Sequence, residues 1–210
     1  MTDEQTEKRP RPFWRELPVL LGVAILVAVL VRAFVLQTFY IPSQSMEHTL
    51  DVNDHVLVDK LVYDFRAPRR GEIIVFRAPE DWQSGPEGQD FIKRIIGTPG
   101  DHVMCCDAQN RLVVNEHPLD EPFIYTDADG TQDRAADEAF DITVPADRLW
   151  VMGDHRSASG DSLQHYEQST DIQEATIDEK SVVGRAFTVF WPFDRATWLS
   201  IPKEFDAAHR

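Results

Sequence analysis

Apolar residues follow two regimes along this chain. From Leu17 to Leu36 they form one nearly unbroken run, LPVLLGVAILVAVLVRAFVL, in which Arg32 is the single charge. Beyond it they recur only in short alternating stretches. A helix of about 20 residues rises about 30 Å, the thickness of a bilayer's hydrocarbon core, so the run predicts a transmembrane helix over 17–36. Arg32 sits near the far end, where its long stem can reach the interface, and Pro18 falls in the first turn, which tolerates it. The run is longer than the apolar segment of a cleaved leader. Gln37-Thr38-Phe39-Tyr40-Ile41-Pro42 behind it offers no small-x-small cleavage site, so the run reads as a retained anchor. Lys8, Arg9, Arg11 and Arg15 precede it, and this positive excess puts residues 1–16, a charged and disordered tail, in the cytoplasm and the bulk of the chain outside.

After the anchor, Val56 to Val58, Glu72 to Phe76, Phe91 to Ile96, Arg111 to Asn115, Phe140 to Val144, Leu149 to Met152 and Val182 to Trp191 are strand-length apolar runs. Turn formers such as Arg70-Gly71, Pro99-Gly100-Asp101 and Gly153-Asp154 separate them. No stretch here has the period of a long amphipathic helix, although Asp171 to Lys180 suits a short one. The pattern predicts one mostly β domain over 37–200, large enough for a sizeable core, and a loose polar tail over 201–210. Residues 78–90, rich in Glu, Gly and Pro, and 126–138, rich in Asp, read as inserted solvated loops.

Charge narrows the function. The chain carries −15; residues up to Leu36 hold five basic and four acidic groups, a net +1, which leaves −16 on the outer domain. Nucleic-acid binding needs a basic patch, and this balance excludes it. The two cysteines, Cys105 and Cys106, are adjacent and have no second pair, which does not suit zinc; a vicinal disulfide or two free thiols are both open. Seven scattered histidines show no metal-ligand spacing, and nothing in the pattern calls for a cofactor.

Two segments carry candidate chemistry. In Phe91-Ile92-Lys93-Arg94-Ile95-Ile96, strand alternation places Lys93 between Phe91 and Ile95 on one face. Burial disfavours an ammonium, and a neutral amine can take a proton from a hydroxyl; a buried ion pair is the other use of such a lysine. Ser45, in Ile41-Pro42-Ser43-Gln44-Ser45-Met46, follows a proline-stiffened turn only nine residues after the apolar run, so it lies near the membrane surface. The Ser43 hydroxyl and the Ser45 N–H can converge as an oxyanion hole, or the segment is an ordinary serine-rich turn. Gly153-Asp154-His155-Arg156-Ser157-Ala158-Ser159-Gly160-Asp161-Ser162 holds Asp, His and Ser together, but consecutive residues do not converge as a triad. It reads as a bracing loop.

Taken in order, Ile41 to Leu50, Arg70 to Phe76, Lys93 to Asp101, Gly153 to Ser162, and Val183-Gly184-Arg185-Ala186 through Trp191-Pro192 resemble bacterial type I signal peptidase. The resemblance covers most of Phe39 to Pro192, the insertions aside. It implies a signal-peptidase-like antiparallel β-sheet domain behind one N-terminal transmembrane helix. The implied enzyme is a membrane-bound serine endopeptidase that cuts exported preproteins after small-x-small motifs. It would act without cofactor, metal or nucleic acid, and outside the cytoplasm. By that resemblance Ser45 is the nucleophile and Lys93 the general base. Ser43 helps hold the oxyanion, and Ser159 orients the Lys93 amine. Phe39, Ile41, Val75 and Ile92 line the substrate pockets, Arg94 and Asp154 form a nearby ion pair, and Asp161 braces the loop.

The chain also departs from the family pattern. His48 stands where proline is usual, His155 and Ala158 where asparagines are usual, and Leu163 where an arginine would meet Asp161. Arg156 or Arg94 is the expected substitute partner for Asp161. A self-cleaving repressor-type peptidase shares the dyad but needs a DNA-binding module where this chain has its apolar run. An inactive anchored binding protein of the same fold is the alternative from another class.

Overall fold

The computed structural model describes residues 13–83 and 88–208. The expected cytoplasmic tail, apart from 13–16, lies outside the described residues, as do 84–87 of the first insertion and 209–210. Helix α1 spans Phe13–Phe34. It begins before the expected start at 17 and ends before 36, because Leu36 already opens a strand. Among the described residues, no helix is long and apolar enough to cross a membrane. Its apolar side chains, from Leu17 to Val31, are exposed, with no protein surface packed over them.

The remainder is mostly β and antiparallel, as the alternation predicts. The strands are β1 (Leu36–Tyr40), β2 (His55–Asp59), β3 (Ile73–Arg77), β4 (Asp90–Gly97), β5 (His102–Cys105), β6 (Leu112–Val114), β7 (His117–Pro118), β8 (Phe140–Thr143), β9 (Arg148–Met152), β10 (Ile177–Asp178), β11 (Val182–Trp191) and β12 (Thr197–Trp198). The larger sheet runs β1-β2-β11-β3-β4-β9-β10, with β12 added to β11; a smaller one runs β7-β6-β5-β8. Short helices α2 (Val62–Phe65), α3 (Ser162–Ser169), α4 (Ile172–Ala175) and α5 (Phe205–Ala208) fill the connections.

Register on β4 matters most for the site. β3 pairs with it from Asp90 to Arg94, but β9 joins only from Arg94 onward. Asp90 to Lys93 therefore keep one open backbone edge among the described residues. Residues directly opposite on antiparallel strands share a face. Val75 and Ile92, paired, pack with Ile41 and Phe39 on one side of the sheet; Phe76 and Phe91, paired, pack with Trp82 on the other. A third cluster, around Trp150, Phe140 and Leu112, fills the space under the smaller sheet.

Several expectations need correction. The 78–90 insertion is not simply a solvated loop: Trp82 is buried in it and donates from Nε1 to the Glu174 carbonyl at 2.9 Å. In 126–138, Ala135 and Ala136 enter the core. The tail after 200 is not loose, since Phe205 is fully buried and packs where a side chain on Gly71 would stand. Cys105 and Cys106 form a vicinal disulfide.

Candidate active site

Ser45 sits on the turn that follows β1, and Lys93 on the open-edged half of β4. Lys93 Nζ lies 2.6 Å from Ser45 Oγ, with both residues almost fully buried. Removing an amine from water disfavours its charged form. Burial lowers the Lys93 pKa from an ordinary 10.5 to about 8, against the opposing pull of the Asp161 and Asp154 carboxylates. Neither carboxylate forms an ion pair with it among the described residues. Such an amine is free to accept a proton in mildly alkaline water.

Ser43, exposed on the same turn, places its hydroxyl 3.5 Å from Ser45 Oγ. A cleft of about 680 Å³ runs beside the pair, and Phe39, Ile41, Val75 and Ile92 line it together with Ser43, Ser45 and Lys93. Thus the sequence-selected pocket residues and the dyad candidates meet in one place. Ile41 and Val75 are themselves nearly buried, which makes their part of the wall shallow.

The loop from Gly153 to Asp161 holds the Ser45 turn from behind. The His155 N–H donates to the Ser45 carbonyl at 3.2 Å. The His155 ring lies 3.0 Å from a Glu47 carboxylate oxygen and stacks on Tyr125 at 3.8 Å. His48 has φ of 81°, a left-handed conformation that proline's ring forbids, and its Nδ1 lies 3.1 Å from the Ile124 carbonyl oxygen. Both histidines that depart from the family pattern therefore brace the serine turn.

Two expected contacts are not made among the described residues. Ser159 has no hydrogen bond to the Lys93 amine; its hydroxyl donates to Asp161 Oδ2 at 2.7 Å. Asp161 is met by neither Arg156 nor Arg94. Its carboxylate accepts from the Gly153 N–H at 2.8 Å and from the Leu163 N–H at 3.1 Å, as the N-cap of α3. Donors of this kind stabilise a carboxylate without a cation, which explains how Leu163 is tolerated. Arg156 instead forms a buried pair with Glu121, and it ties the loop down through the Gly153 and Ala135 carbonyls at 2.9 and 2.6 Å. Arg94 grips Asp154 with two hydrogen bonds, at 2.8 and 2.6 Å, under the Phe123 ring.

Gly153 escaped the sequence reading as a site residue. A Cβ built there would stand 2.3 Å from both the Ser45 carbonyl oxygen and Ser159 Oγ. Real side chains do not approach backbone so closely, so the glycine lets the loop press against the Ser45 turn. Gly153→Ala must displace Ser45, and turnover is expected to fall roughly 10²-fold. Steady-state kinetics on the folded variant measures it; unchanged turnover would show that the contact is not needed.

Comparison with known proteins gives the family. The family described as signal peptidase, peptidase S26, matches residues 14–191. A probable signal peptidase I-2 of Synechocystis sp. is 36% identical over 209 residues, covering 98% of this chain and 86% of that protein. Signal peptidase I of Leptolyngbya laminosa is 36% identical over 190 residues, 88% and 83% of the two chains. Signal peptidase I of Mycobacterium tuberculosis is 34% identical over 227 residues, 90% and 77%. With a match over nearly the whole chain, this protein belongs to the signal peptidase family, peptidase S26.

Proposed function

We propose that the protein is a membrane-anchored serine endopeptidase that removes signal peptides from exported preproteins, with Ser45 as nucleophile and Lys93 as general base. The observation that carries this reading is the 2.6 Å approach of a buried amine to a buried hydroxyl at the floor of a cleft. Lys93 takes the Ser45 proton as Oγ attacks the scissile carbonyl. The tetrahedral oxyanion faces the Ser43 hydroxyl and the Ser45 N–H. Lys93 then gives the proton to the leaving amine, and the acyl group stays on Ser45. Water, deprotonated by the same amine, releases it.

The substrate extends as a strand along the free edge of β4 at Asp90 to Lys93, where backbone pairing tolerates varied sequences. Alternate side chains, the first and third before the bond, then face Ile92 and Val75. A wall this close admits alanine and excludes larger groups by overpacking. The donors that satisfy Asp161 despite Leu163 support the active reading over an inactive binder of the same fold.

The 22-residue helix α1, about 33 Å long, serves as the single-pass anchor, with the peptidase domain outside the cytoplasm. Its exposed apolar side chains support this, because a surface of that extent is unfavourable in water. Holding enzyme and preprotein in one bilayer raises their effective concentration.

The test is cleavage of a purified preprotein. The parent should cut after a small-x-small motif, stop when the first or third residue is made bulky, and lose activity in Ser45→Ala. Activity should climb as pH rises through about 8, where Lys93 sheds its proton. Cleavage insensitive to Ser45→Ala would end the proposal. The full chain should also float with lipid vesicles through an alkaline carbonate wash; release into the supernatant would argue against the anchor.

A further inference from the structure

The cleft has a second wall that the small-x-small rule leaves without a role. Phe91 faces away from Ile92 and Val75 and packs on Phe76, which in turn packs edge-on against Trp82. The Trp82 indole stacks flat on the His165 ring, centroids 4.4 Å apart and planes within 8°. Its Nε1 donates to the Glu174 carbonyl of α4, so Trp82, tied to α3 by the stack and to α4 by this bond, forms a roof beside the cleft. Asp81 and Asp90, both exposed, also line the cleft, as does Gln164 from α3.

Side chains of a strand alternate between faces. If the first and third residues before the scissile bond meet Ile92 and Val75, the second points to the side of Phe91 and this roof. We infer that Asp81, Asp90 and Gln164, set against the Trp82–His165 stack, form a subsite for the second residue before the bond, and that it selects a cationic side chain, lysine or arginine, over an acidic one. The inference rests on the peptidase reading and adds a specificity to it. The rim of the stack that lines the cleft, chiefly the half-buried His165 ring, offers apolar surface to the stem of such a side chain while the carboxylates meet its charge. His165 does not oppose this. Burial lowers its pKa, although Asp161 and Asp81 pull the other way, so at neutral pH the ring is uncharged. Among the described residues lining the cleft the remaining cationic group is Lys93, which lies at the reacting centre.

The experiment uses the full-length enzyme in detergent at low ionic strength. Its substrates are three peptides with alanine at the first and third positions before the bond and Lys, Gln or Glu at the second. We expect kcat/KM to fall in the order Lys, Gln, Glu, with Lys over Glu by roughly fivefold. The ratio should approach one in the double variant Asp81→Asn, Asp90→Asn. Because the domain is acidic overall, a control pair carries Lys or Glu at the fifth residue after the bond. Equal rates for the three peptides would overturn the inference. So would a ratio that persists in the double variant, or the same ratio in the control pair. A failure of the underlying reading looks different: no peptide is cut by the parent, or Ser45→Ala cuts them equally, and the inference then falls with it.

Discussion

Replacing Lys93 by methionine is expected to abolish turnover and, at neutral pH, to make the protein more stable. The loss follows from the loss of the proposed base, roughly 10³-fold or more in kcat. The gain follows from where the amine sits. Its pKa is 10.5 in an exposed chain and about 8 in the fold. Below pH 8 both folded and unfolded chains carry the proton, and the fold bears the full cost of a charge held away from water. That cost is about 3 kcal/mol. Between pH 8 and 10.5 the unfolded chain binds the proton and the fold does not, so the parent grows more stable as pH rises. Methionine fills similar space without charge, so its advantage should be largest near pH 6 and shrink steadily above about pH 8. Urea unfolding of both proteins in one detergent, across that range, measures it. Equal stability at low pH would show that the amine is not desolvated.

The tension is general for sites that need a perturbed group: the fold accepts a local cost so that the group has the right protonation state at working pH. Here the rest of the site offsets it. The Asp161 N-cap, the Arg156–Glu121 pair and the His155 bracing all hold the loop behind Ser45 with satisfied hydrogen bonds.

Much of this was legible in the chain. Alternation in Phe91 to Ile96 placed Lys93 on the face of a strand, and Pro42 marked the turn that carries Ser45. The strands with clear alternation were found. Those that were hidden had physical reasons. β1 opens on Leu36, the last residue of the apolar run, so its onset has no compositional mark. α3 has little apolar stripe, and what fixes it is the Asp161 cap, a single contact. Trp82 lies among Glu, Gly and Pro, and local composition cannot reveal that one large ring folds back onto Phe76 and His165. The partner of Asp161 was missed because a search for a cation overlooks backbone N–H groups, which no side-chain pattern encodes. Gly153 carried the weakest signal, since its role lies in an atom it lacks.

Breaking the Arg94–Asp154 pair is the other change expected to have a large effect. Arg94 is 2% exposed and Asp154 is fully buried. Asp154→Ala leaves a guanidinium with the Gly71 carbonyl and the Thr49 hydroxyl as its remaining partners and no counter-charge in contact; it should cost about 3–5 kcal/mol. Arg94→Ala strands the carboxylate in the same way. The double variant Arg94→Ala, Asp154→Ala removes both charges together, so it should be more stable than the sum of the single losses predicts. Urea unfolding of the four proteins gives the coupling, and additive losses would mean that the two groups do not depend on each other. A gentler change separates the pair's structural part from its electrical one. Asp154→Asn keeps the shape but removes a negative charge that holds the Lys93 pKa up. In the folded fraction, the rise of activity with pH should therefore move below 8, toward neutrality. A limb that stays in place would mean that Asp154 acts on the Lys93 amine only by holding Arg94 still.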